Sequence, residues 1–425
     1  MKTLLKNAQI LSMKSDSIFH GSILIEDGII KTISKMKIEV DNKIKVIDCE
    51  NNLLMPGFKN MHGHSAMVFL RNRSDDVPLN TWLFKHVFPH EEKLSFEDAY
   101  YFNKLAIFEY LSSGITFVLD QYLYPEATVK ACLEYGFKLG VLLTYPNQGD
   151  KETTRRRWEA LLLNFNNHPH IRPSLSMHSE YTALKDQIDL CQEFTIKYHL
   201  PFFVHASETR KEVDECLSRH NGLSPIAFFD SLGLFKNGGA IFHGIHLAND
   251  DIDILKKNNM SVVSCPGSNI KLASGICDIK KLLDFDINVA LGTDGAASNN
   301  SLNMFKEMYL ASGLAKLLNK DAASIKAFDI LKMATVNGSR CTSFNNDYLE
   351  EGKEADIIMI NLQDPSIQPV SNIINSLVYS CSKSAVKMTM INGKILYYDG
   401  KYFLKDDYPK VVKKCQRILN KIFEE

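Results

Sequence analysis

The sequence predicts an α/β protein built on a (β/α)8 barrel of the TIM type, with a small discontinuous β-sandwich domain made from both termini. Two observations lead to this prediction. Eight short apolar runs alternate with longer segments suited to helices, and strand-rich segments of similar texture flank them at both ends of the chain. A doubly wound open sheet would show the same alternation, so the number of runs favours the barrel without excluding the open sheet.

The N-terminal segment reads as short strands separated by turn residues, and the same texture returns near the C-terminus. The strand-like segments are 10–13, 22–25, 46–48, 355–360 and 388–398, the last with an Asn-Gly hairpin turn. We therefore expect residues 1–55 and 344–425 to form one β-sandwich domain, which includes a helix at its C-terminal end, and residues 56–343 to form the barrel.

The eight runs of the predicted barrel are rich in β-branched and aromatic residues. They lack clean polar alternation because both faces of a barrel strand are buried. The runs are 52–62, 114–120, 137–145, 171–178, 201–205, 239–243, 260–264 and 287–294. Segments 95–111 and 321–334 are examples of the helices expected around them.

The composition excludes several classes of function. The chain has 425 residues, 45% of them hydrophobic, and 49 Lys and Arg against 50 Asp and Glu, so no overall positive field would attract nucleic acid. No stretch approaches the about 18 apolar residues that cross a membrane, and no signal peptide is apparent. The nine cysteines are scattered without C-x-x-C spacing and read as free thiols. We expect a soluble cytoplasmic protein, for which a homo-oligomer is compatible with the sequence.

Polar side chains stand at the carboxyl ends of the apolar runs, and we expect them to meet. They are His62, His64, His178, His205, His243 and Asp294. In a barrel these ends converge on one rim, where the catalytic groups of this fold lie. One histidine at such a position is more often a hydrogen-bonded core or loop residue, but five histidines with an aspartate indicate a site.

Three of these histidines and the aspartate form a candidate metal site. His62 and His64 are two residues apart on an extended segment, so both rings lie on one face, and His205 and Asp294 end later runs. Three imidazoles and a carboxylate suit one divalent ion, Zn²⁺ first and Fe²⁺ second, with room for a water. No lysine ends a run to bridge two metals, so we expect a mononuclear site.

Glu208 follows His205 by three residues and should reach the same cavity. An ionisable acid beside an activated water is a natural proton shuttle. An acidic residue is also favoured in the first turn of a helix, here one expected to begin near Ser207, so position alone leaves both interpretations open.

Four segments resemble a known family. They are 56–64 (PGFKNMHGH), 205–209 (HASET), 243–247 (HGIHL) and 292–300 (GTDGAASNN), and they are similar to motifs of the amidohydrolase superfamily, within it to the 5-methylthioadenosine/S-adenosylhomocysteine deaminases. The resemblance implies that Glu208 handles the proton at the substrate ring nitrogen and that His243 lies beside the attacking water or the developing charge. It also implies that His62, His64, His205 and Asp294 hold the metal.

The resemblance further implies how a purine nucleoside would bind. His178 corresponds to the family's purine-contacting histidine, Trp82 to a tryptophan that packs on the substrate, and Glu91 to an acid that binds the ribose hydroxyls. Without the family, Trp82 would more often be a core residue and Glu91 a surface residue.

Two departures from the family bear on the substrate. Family members that accept S-adenosylhomocysteine have an arginine where this chain has Tyr145, and a neutral phenol cannot replace a bidentate guanidinium. A second family arginine corresponds to Arg156 or Arg157. Glu180 replaces a usual proline and is expected to add negative charge near the base pocket. Both departures favour 5′-methylthioadenosine, 5′-deoxyadenosine or adenosine over S-adenosylhomocysteine.

The predicted reaction is therefore hydrolytic deamination of an adenine nucleoside to the inosine-type product and ammonia. The partner is a small nucleoside, with no nucleic acid and no membrane. Two alternatives stay open: hydrolysis of another amino-heterocycle, such as a guanine-like, pterin or triazine ring, and a non-catalytic metal-binding protein on the same fold.

Overall fold

The computed structural model describes residues 2–39, 44–73, 75–145, 150–165, 167–342 and 344–423. The predicted domain limit at residue 343 and the last two residues of the C-terminal segment lie outside the described residues. Two sheets organise the fold, an eight-stranded parallel sheet that forms the barrel and a nine-stranded mixed sheet that combines both ends of the chain.

The mixed sheet takes its first strands from the N-terminal segment. These are β1 (Lys2–Leu11), β2 (Ile18–Glu26), β3 (Ile29–Ser34), β4 (Lys45–Asp48) and β5 (Leu53–Pro56). Strand β1 pairs β2 along its length, but its other edge is divided between β4 at its start and β5 at its end. The sheet therefore branches at β1, and the alternating burial of β2 shows that one face packs on a core.

The barrel strands follow in chain order, each hydrogen-bonded to the next. They are β6 (Phe58–Gly63), β7 (Ile115–Asp120), β8 (Lys138–Leu143), β9 (Ile171–Met177), β10 (Phe202–Ala206), β11 (Gly239–His243), β12 (Met260–Ser264) and β13 (Val289–Leu291). The backbone amide of Asp294 donates to the carbonyl of His62 at 2.9 Å, which joins the last strand to the first. Gly292 permits this approach, since a Cβ there would lie 2.7 Å from the Cβ of His62.

The C-terminal segment completes the mixed sheet with β14 (Ile357–Ile360), β15 (Val386–Ile391), β16 (Lys394–Tyr398) and β17 (Lys401–Tyr402). Strand β14 pairs β5 antiparallel, so both ends of the chain share one sheet as predicted. The predicted hairpin joins β15 to β16, and its turn residues Asn392 and Gly393 have φ values of 46° and 71°, which suit a tight hairpin.

The first predicted run, 52–62, proves to be two strands in different sheets. Strand β5 belongs to the mixed sheet and β6 to the barrel, and Gly57 separates them. A Cβ at Gly57 would lie 2.2 Å from Cγ2 of Thr116, so only glycine lets the chain cross here. Because all residues of both strands are buried, the sequence shows no alternation that would reveal the change of sheet.

The helices lie between the barrel strands and after them. They are α1 (Leu79–Thr81), α2 (Phe88–Glu91), α3 (Phe96–Ser112), α4 (Pro125–Tyr135), α5 (Lys151–Phe165), α6 (Lys185–Tyr198), α7 (Arg210–Arg219), α8 (Pro225–Ser231), α9 (Asn249–Lys257), α10 (Pro266–Lys271), α11 (Ile279–Asp284), α12 (Met304–Asn319), α13 (Ala327–Met333), α14 (Val336–Ser339), α15 (Ile373–Tyr379) and α16 (Tyr408–Phe423). Short 3₁₀ segments are Ser65–Leu70, Glu180–Thr182, Leu234–Asn237, Pro365–Ile367 and Lys383–Ala385, and Trp82–Val87 between α1 and α2 is π-helical.

Of the two helices predicted from the sequence, one is confirmed and the other begins later than predicted. Helix α3 matches 95–111 and begins at the capping box of Ser95 and Asp98. The helix predicted over 321–334 is wrong in its first half. The side chain of Asp321 accepts from the amide of Ala323 at 2.8 Å and forms a turn there, so α13 begins only at Ala327.

A buried ion pair links the barrel to the mixed sheet. Lys138 of β8 is fully buried and donates to Asp356, at 2.6 Å, and to Glu354, at 2.5 Å, just before β14. Among the described residues no helix combines the length and apolar character needed to cross a membrane. The opposite, carboxyl end of the barrel carries the polar cluster predicted from the sequence.

Candidate active site

Four predicted metal ligands meet at the carboxyl ends of the barrel strands. His62 and His64 come from the end of β6, His205 from β10 and Asp294 from the residues after β13, and ligand atoms of all four lie within 4.8 Å of one another. Oδ1 of Asp294 lies 3.4 Å from Nε2 of His62 and 3.2 Å from Nε2 of His64. The short spacing comes from the joined edge between the first and last strands.

The hydrogen bonds around this cluster fit a bound cation. Nδ1 of His64 lies 2.6 Å from the carbonyl oxygen of Gln121, and Nδ1 of His205 lies 2.7 Å from that of His178. Each Nδ1–H therefore donates to the backbone and leaves the lone pair of Nε2 facing the cluster. Both ring nitrogens of His62 are buried and have no hydrogen-bond partner among the described residues, and a divalent ion would satisfy the nitrogen that faces the cluster.

Asp294 is held as a carboxylate. The hydroxyls of Ser268 and Ser298 donate to its Oδ2 at 2.6 and 2.9 Å, and the amide of Gly295 donates to its Oδ1 at 2.8 Å. Burial alone would raise the pKa of Asp294, but His62 and His64 outweigh it and hold the pKa well below its usual range. Before the reaction begins, the cluster thus presents a carboxylate whose negative charge a cation would balance.

Glu208 and His243 lie beside the cluster in the same cavity. Oε1 of Glu208 accepts from the hydroxyl of Ser274 at 3.1 Å, and its Oε2 lies 3.9 Å from Nε2 of His243. Nδ1 of His243 donates to Oδ1 of Asn269 at 2.7 Å. Burial opposes a charged ring, but Glu208 and then Asp294 outweigh it and raise the pKa of His243 above its ordinary value.

Glu208 lies just before a helix and not within its first turn. Helix α7 begins at Arg210 with Thr209 as its N-cap, so the helix expected near Ser207 starts later. The carboxylate of Glu212 accepts from the amides of Ser207 and Glu208 at 2.9 and 2.8 Å. The carboxylate of Glu212 therefore fixes the turn through its backbone amides, and the side chain of Glu208 is left to face the cavity.

Four of the remaining predicted contacts line the same cavity, whose volume is about 200 Å³. Trp82, Glu91, Tyr145 and His178 all contribute to its wall, together with Gln121, Tyr122, Tyr181 and Gln187, which sequence reasoning did not identify. Trp82 and Glu91 are each 6% exposed, so both are buried.

Burial shifts the titration of two of these groups. It raises the pKa of Glu91 to about 7, against the smaller opposing effects of Tyr122 and His64. It lowers the pKa of His178 to about 4, so this ring is neutral at neutral pH. Nδ1 of His178 lies 3.0 Å from the hydroxyls of both Ser179 and Thr182, so its Nε2 is the nitrogen left for a ligand.

Two arginine assignments need correction. Arg157 is not among the residues that line the cavity. It forms a bidentate ion pair with Glu126, with both donor to acceptor distances 2.9 Å, because α5 packs this face toward α4. Arg156 is exposed on the same helix. Neither arginine is among the described residues that line this cavity.

Glu180 also differs from the expectation that it adds negative charge to the base pocket. Its side chain is 2% exposed and is directed toward α7, where Arg219 and His220 pair with its carboxylate. Burial opposes ionisation, but these two partners hold the pKa of Glu180 below its ordinary value. The charge is therefore neutralised outside the cavity wall.

Sequence analysis did not identify the residues that hold Glu208 and His243 in place. Glu212 could have been found, because Thr209 and Glu212 have the T-x-x-E spacing of a capping box. Ser274 and Asn269 carry no comparable signal, since their contacts with Glu208 and His243 depend on how distant loops fold over the barrel rim.

The fold and this site define a class of protein, a barrel hydrolase with a candidate divalent-metal site at the carboxyl ends of its strands. Residues 53–396 match the amidohydrolase family, and the chain belongs to that family. The family resemblance seen in the four sequence motifs is thereby confirmed.

Relatives are similar over nearly the whole chain. The 5-methylthioadenosine/S-adenosylhomocysteine deaminase of Caldanaerobacter subterraneus subsp. tengcongensis is 37% identical over 414 residues, covering 93% of each protein. The 5′-deoxyadenosine deaminase of Methanosphaera stadtmanae is 35% identical over 404 residues, covering 94% of each. Among solved structures, an adenosine deaminase from Xanthomonas campestris with bound zinc matches with a TM-score of 0.93 and 26% identity, covering 100% of this chain and 99% of that one. The similarity to this solved structure confirms the predicted fold class.

Proposed function

We propose that this protein is a metal-dependent deaminase that hydrolyses the 6-amino group of adenine nucleosides. One observation carries the proposal: a single cavity holds the candidate metal site, Glu208 and His243 together with Glu91 and His178. A protein that merely bound a metal would need neither Glu208 nor His243. The two relatives named for adenine-nucleoside substrates support the same reaction class.

The wall of the cavity favours a substrate with a neutral 5′ group. Among the described residues, those that line it include no lysine and no arginine. Burial and then the nearby Asp186 raise the pKa of Tyr145, so a neutral phenol faces the cavity. We infer that 5′-methylthioadenosine, 5′-deoxyadenosine and adenosine are better substrates than S-adenosylhomocysteine, whose carboxylate would lack a cationic partner.

His62, His64, His205 and Asp294 would hold the metal, and three nitrogen donors with one carboxylate suit Zn²⁺, with Fe²⁺ as the second choice. When bound, such an ion lowers the pKa of water to about 7 and supplies a nucleophile at neutral pH. The contribution of the protein itself is to place proton donors, acceptors and binding groups around the reacting carbon.

Two carboxyl groups carry the protons of the proposed reaction. Asp294 accepts the proton that the attacking water loses, and Glu208 protonates the ring nitrogen next to C6, so that the C6–O bond can form. Asp294 then delivers its proton to the amino group, the C6–N bond breaks and ammonia leaves. Glu208 recovers a proton from the new hydroxyl, which leaves an oxo group at C6 and returns both side chains to their starting states.

His243 stabilises negative charge that develops on the oxygen during this addition. Asn269 fixes the orientation of the ring, and the raised pKa of His243 favours a protonated Nε2 that can donate. Its position near Glu208 places this donor at the reacting end of the cavity.

Glu91, His178 and Trp82 bind the rest of the nucleoside in this proposal. As a carboxylate, Glu91 accepts hydrogen bonds from the ribose hydroxyls, and Nε2 of His178 contacts the purine. The indole of Trp82 packs on the substrate, and its buried Nε1 has no hydrogen-bond partner within the described structure. A free base would leave Glu91 without a function.

We also infer a reducing, cytoplasmic environment. All nine cysteines are free, and all except Cys341 are buried. Assembly into a homo-oligomer stays a prediction, to be checked by light scattering of the purified protein.

The proposal is tested by following the adenine absorbance band of a panel of adenosine derivatives, with guanine, a pterin and a triazine for comparison. The zinc-loaded protein is compared with a chelated preparation and with that preparation after zinc is restored. We expect turnover of the neutral adenine nucleosides, its loss on chelation and its recovery with zinc. Turnover of the other rings alone, or of none of the compounds, would contradict the proposal.

A further inference from the structure

The buried ion pair of Glu180 connects two loops that both carry residues of the site. Nε of Arg219 donates to Oε1 of Glu180 at 3.1 Å and Nη2 donates to Oε2 at 2.6 Å, while Nε2 of His220 donates to Oε1 at 2.5 Å. Glu180 is 2% exposed and Arg219 is 39% exposed, so a surface arginine covers a buried carboxylate. Bidentate geometry of this kind fixes orientation as well as distance.

Glu180 begins the short 3₁₀ turn Glu180–Thr182 that follows β9. The side chains of Tyr181 and Thr182 line the cavity. The hydroxyls of Ser179 and Thr182 lie 2.8 Å apart, and both contact Nδ1 of His178. The position of this turn therefore sets the orientation of the His178 ring.

The other end of the ion pair is fixed to the segment that carries Glu208. Arg219 is the last residue of α7, whose N-terminal capping box holds the amides of Ser207 and Glu208 through Glu212. The ring of His220 stacks on Phe228 with the centroids 4.0 Å apart, which anchors this partner against α8. The ion pair thus ties the turn after β9 to the helix after β10.

We propose that Glu180 is a positioning residue for substrate binding, which holds His178 and Tyr181 at a set distance from Glu208 by its ion pair with Arg219 and His220. This inference rests on the proposed function, because it assigns His178 to the purine. Glu180 makes no contact with the metal ligands or with Glu208, so loss of the ion pair frees the turn without removing a bond from either, and measurement of the zinc content checks His205, whose Nδ1 donates to the carbonyl of His178. Loss of the ion pair should therefore weaken binding of the nucleoside more than it slows the chemical step.

The same cluster is not a convincing metal site. Glu180, Cys216 and His220 offer ligand atoms within 4.8 Å of one another. However, the guanidinium of Arg219 already occupies both carboxylate oxygens, and a divalent ion would have to displace this positive group. The geometry is that of a completed ion pair.

The experiment uses three test variants, Glu180→Gln, Arg219→Gln and the double variant that combines them. Glu215→Gln is the control. Glu215 is the matched control because it contacts the same arginine at 3.4 Å from an exposed position. KM and kcat for 5′-methylthioadenosine are measured on protein of known zinc content. We expect KM to rise about tenfold in both single variants, with kcat within about twofold, a double variant no worse than Glu180→Gln, and an unchanged control. Unchanged KM in zinc-loaded Glu180→Gln, or an equal rise in the control, would overturn the proposal.

Hydrogen exchange of the backbone amides of residues 179–183 gives a readout that does not need catalysis. We expect faster exchange in Glu180→Gln and in Arg219→Gln, but not in Glu215→Gln. Arg219→Gln changes a partly exposed side chain and keeps the test usable if Glu180→Gln fails to fold. If the wild type deaminates nothing, the proposed function fails. Exchange then decides only whether the ion pair holds the turn, and unchanged exchange in both variants overturns that part of the inference as well.

Discussion

Nε2 of His243 lies 3.9 Å from Oε2 of Glu208, while the other oxygen of the same carboxyl accepts from Ser274. One oxygen of Glu208 is thus fixed and the other faces the reacting end of the cavity. This arrangement suits a group that gives a proton to the substrate and takes one back.

Glu208→Gln should bind zinc like the wild type but lose at least about 10²-fold in kcat, because an amide keeps the shape of the side chain and cannot transfer the proton. Steady-state kinetics with 5′-methylthioadenosine, on protein whose metal content has been measured, checks this outcome.

The control is Ser274→Ala, which leaves the carboxyl in place and removes only its hydrogen bond. It should lower kcat by much less than the glutamine variant does. Nearly normal kcat in a metal-loaded Glu208→Gln would remove Glu208 from the mechanism.

Tyr145→Arg should raise the ratio of kcat/KM for S-adenosylhomocysteine to that for 5′-methylthioadenosine by about tenfold or more. A guanidinium at this wall of the cavity would supply a charged hydrogen-bond partner for the carboxylate of the longer substrate. Competition between the two substrates in one reaction measures the ratio directly. Tyr145→Phe serves as the control and should leave it unchanged, and an unchanged ratio in the arginine variant would mean that this position does not contact the substrate tail.

The KM for a nucleoside should rise as the pH falls below about 7. Burial raises the pKa of Glu91 to about 7, so below that pH its carboxyl is increasingly protonated and accepts the ribose hydroxyls less well. Profiles of KM against pH for wild type and Glu91→Gln test this, and the variant should show a high KM without this dependence. Identical profiles of KM against pH in the two proteins would show that Glu91 does not bind the ribose.

Glu91 also makes the free energy of unfolding depend on pH. The folded state binds a proton on Glu91 more tightly than the unfolded state does, since its pKa is raised from 4.5 to about 7. Its contribution to the free energy of unfolding is therefore fully present below about pH 4 and is lost as the pH rises toward 7. The fall should be smaller in Glu91→Gln than in the wild type when urea unfolding is measured across that range, since Glu212 and Glu307, whose pKa values burial also raises to about 7, still contribute.

Lys138→Met should lower the free energy of unfolding by about 3–5 kcal/mol, because it leaves the fully buried Asp356 without its cation. Burial opposes ionisation of Asp356, but Lys138 outweighs it and keeps the pKa of Asp356 below its ordinary value. Urea unfolding followed by circular dichroism checks the loss. Lys394→Met, which changes an exposed lysine of β16, is the matched control and should change stability by less than about 0.5 kcal/mol.

The metal ligands, which the sequence located from the order of its apolar runs, share one property: they stand at or just past the ends of strands. Strand ends must converge in a barrel, so the position of His62, His205 and Asp294 follows from the order of the runs alone. The pair His168 and His170 has the same spacing as His62 and His64, but it precedes β9 and so lies at the opposite, amino end of the barrel. The two pairs also differ in sequence, because His168 and His170 precede an apolar run and His62 ends one.

The residues that the sequence located poorly lie on helices and loops, where one position does not fix a direction. Arg157 points toward Glu126, and Glu180 points toward Arg219. The direction of each side chain depends on which oppositely charged group the packing brings near it. Gly57 marks a change of sheet that no periodicity reveals, because every residue of both strands around it is buried.

The seam where the barrel closes has a further consequence. Asp294 lies on one side of it and His62 and His64 on the other. Among the described residues, the backbone hydrogen bond from Asp294 to His62 crosses it, and so do two hydrogen bonds between Asn60 and Thr293. An ion held by these side chains would link the end of β6, the first strand of the barrel, to the residues that follow β13, the last one. Metal binding should therefore stabilise the closed barrel, and a demetallated sample should unfold at a lower temperature than a zinc-loaded one.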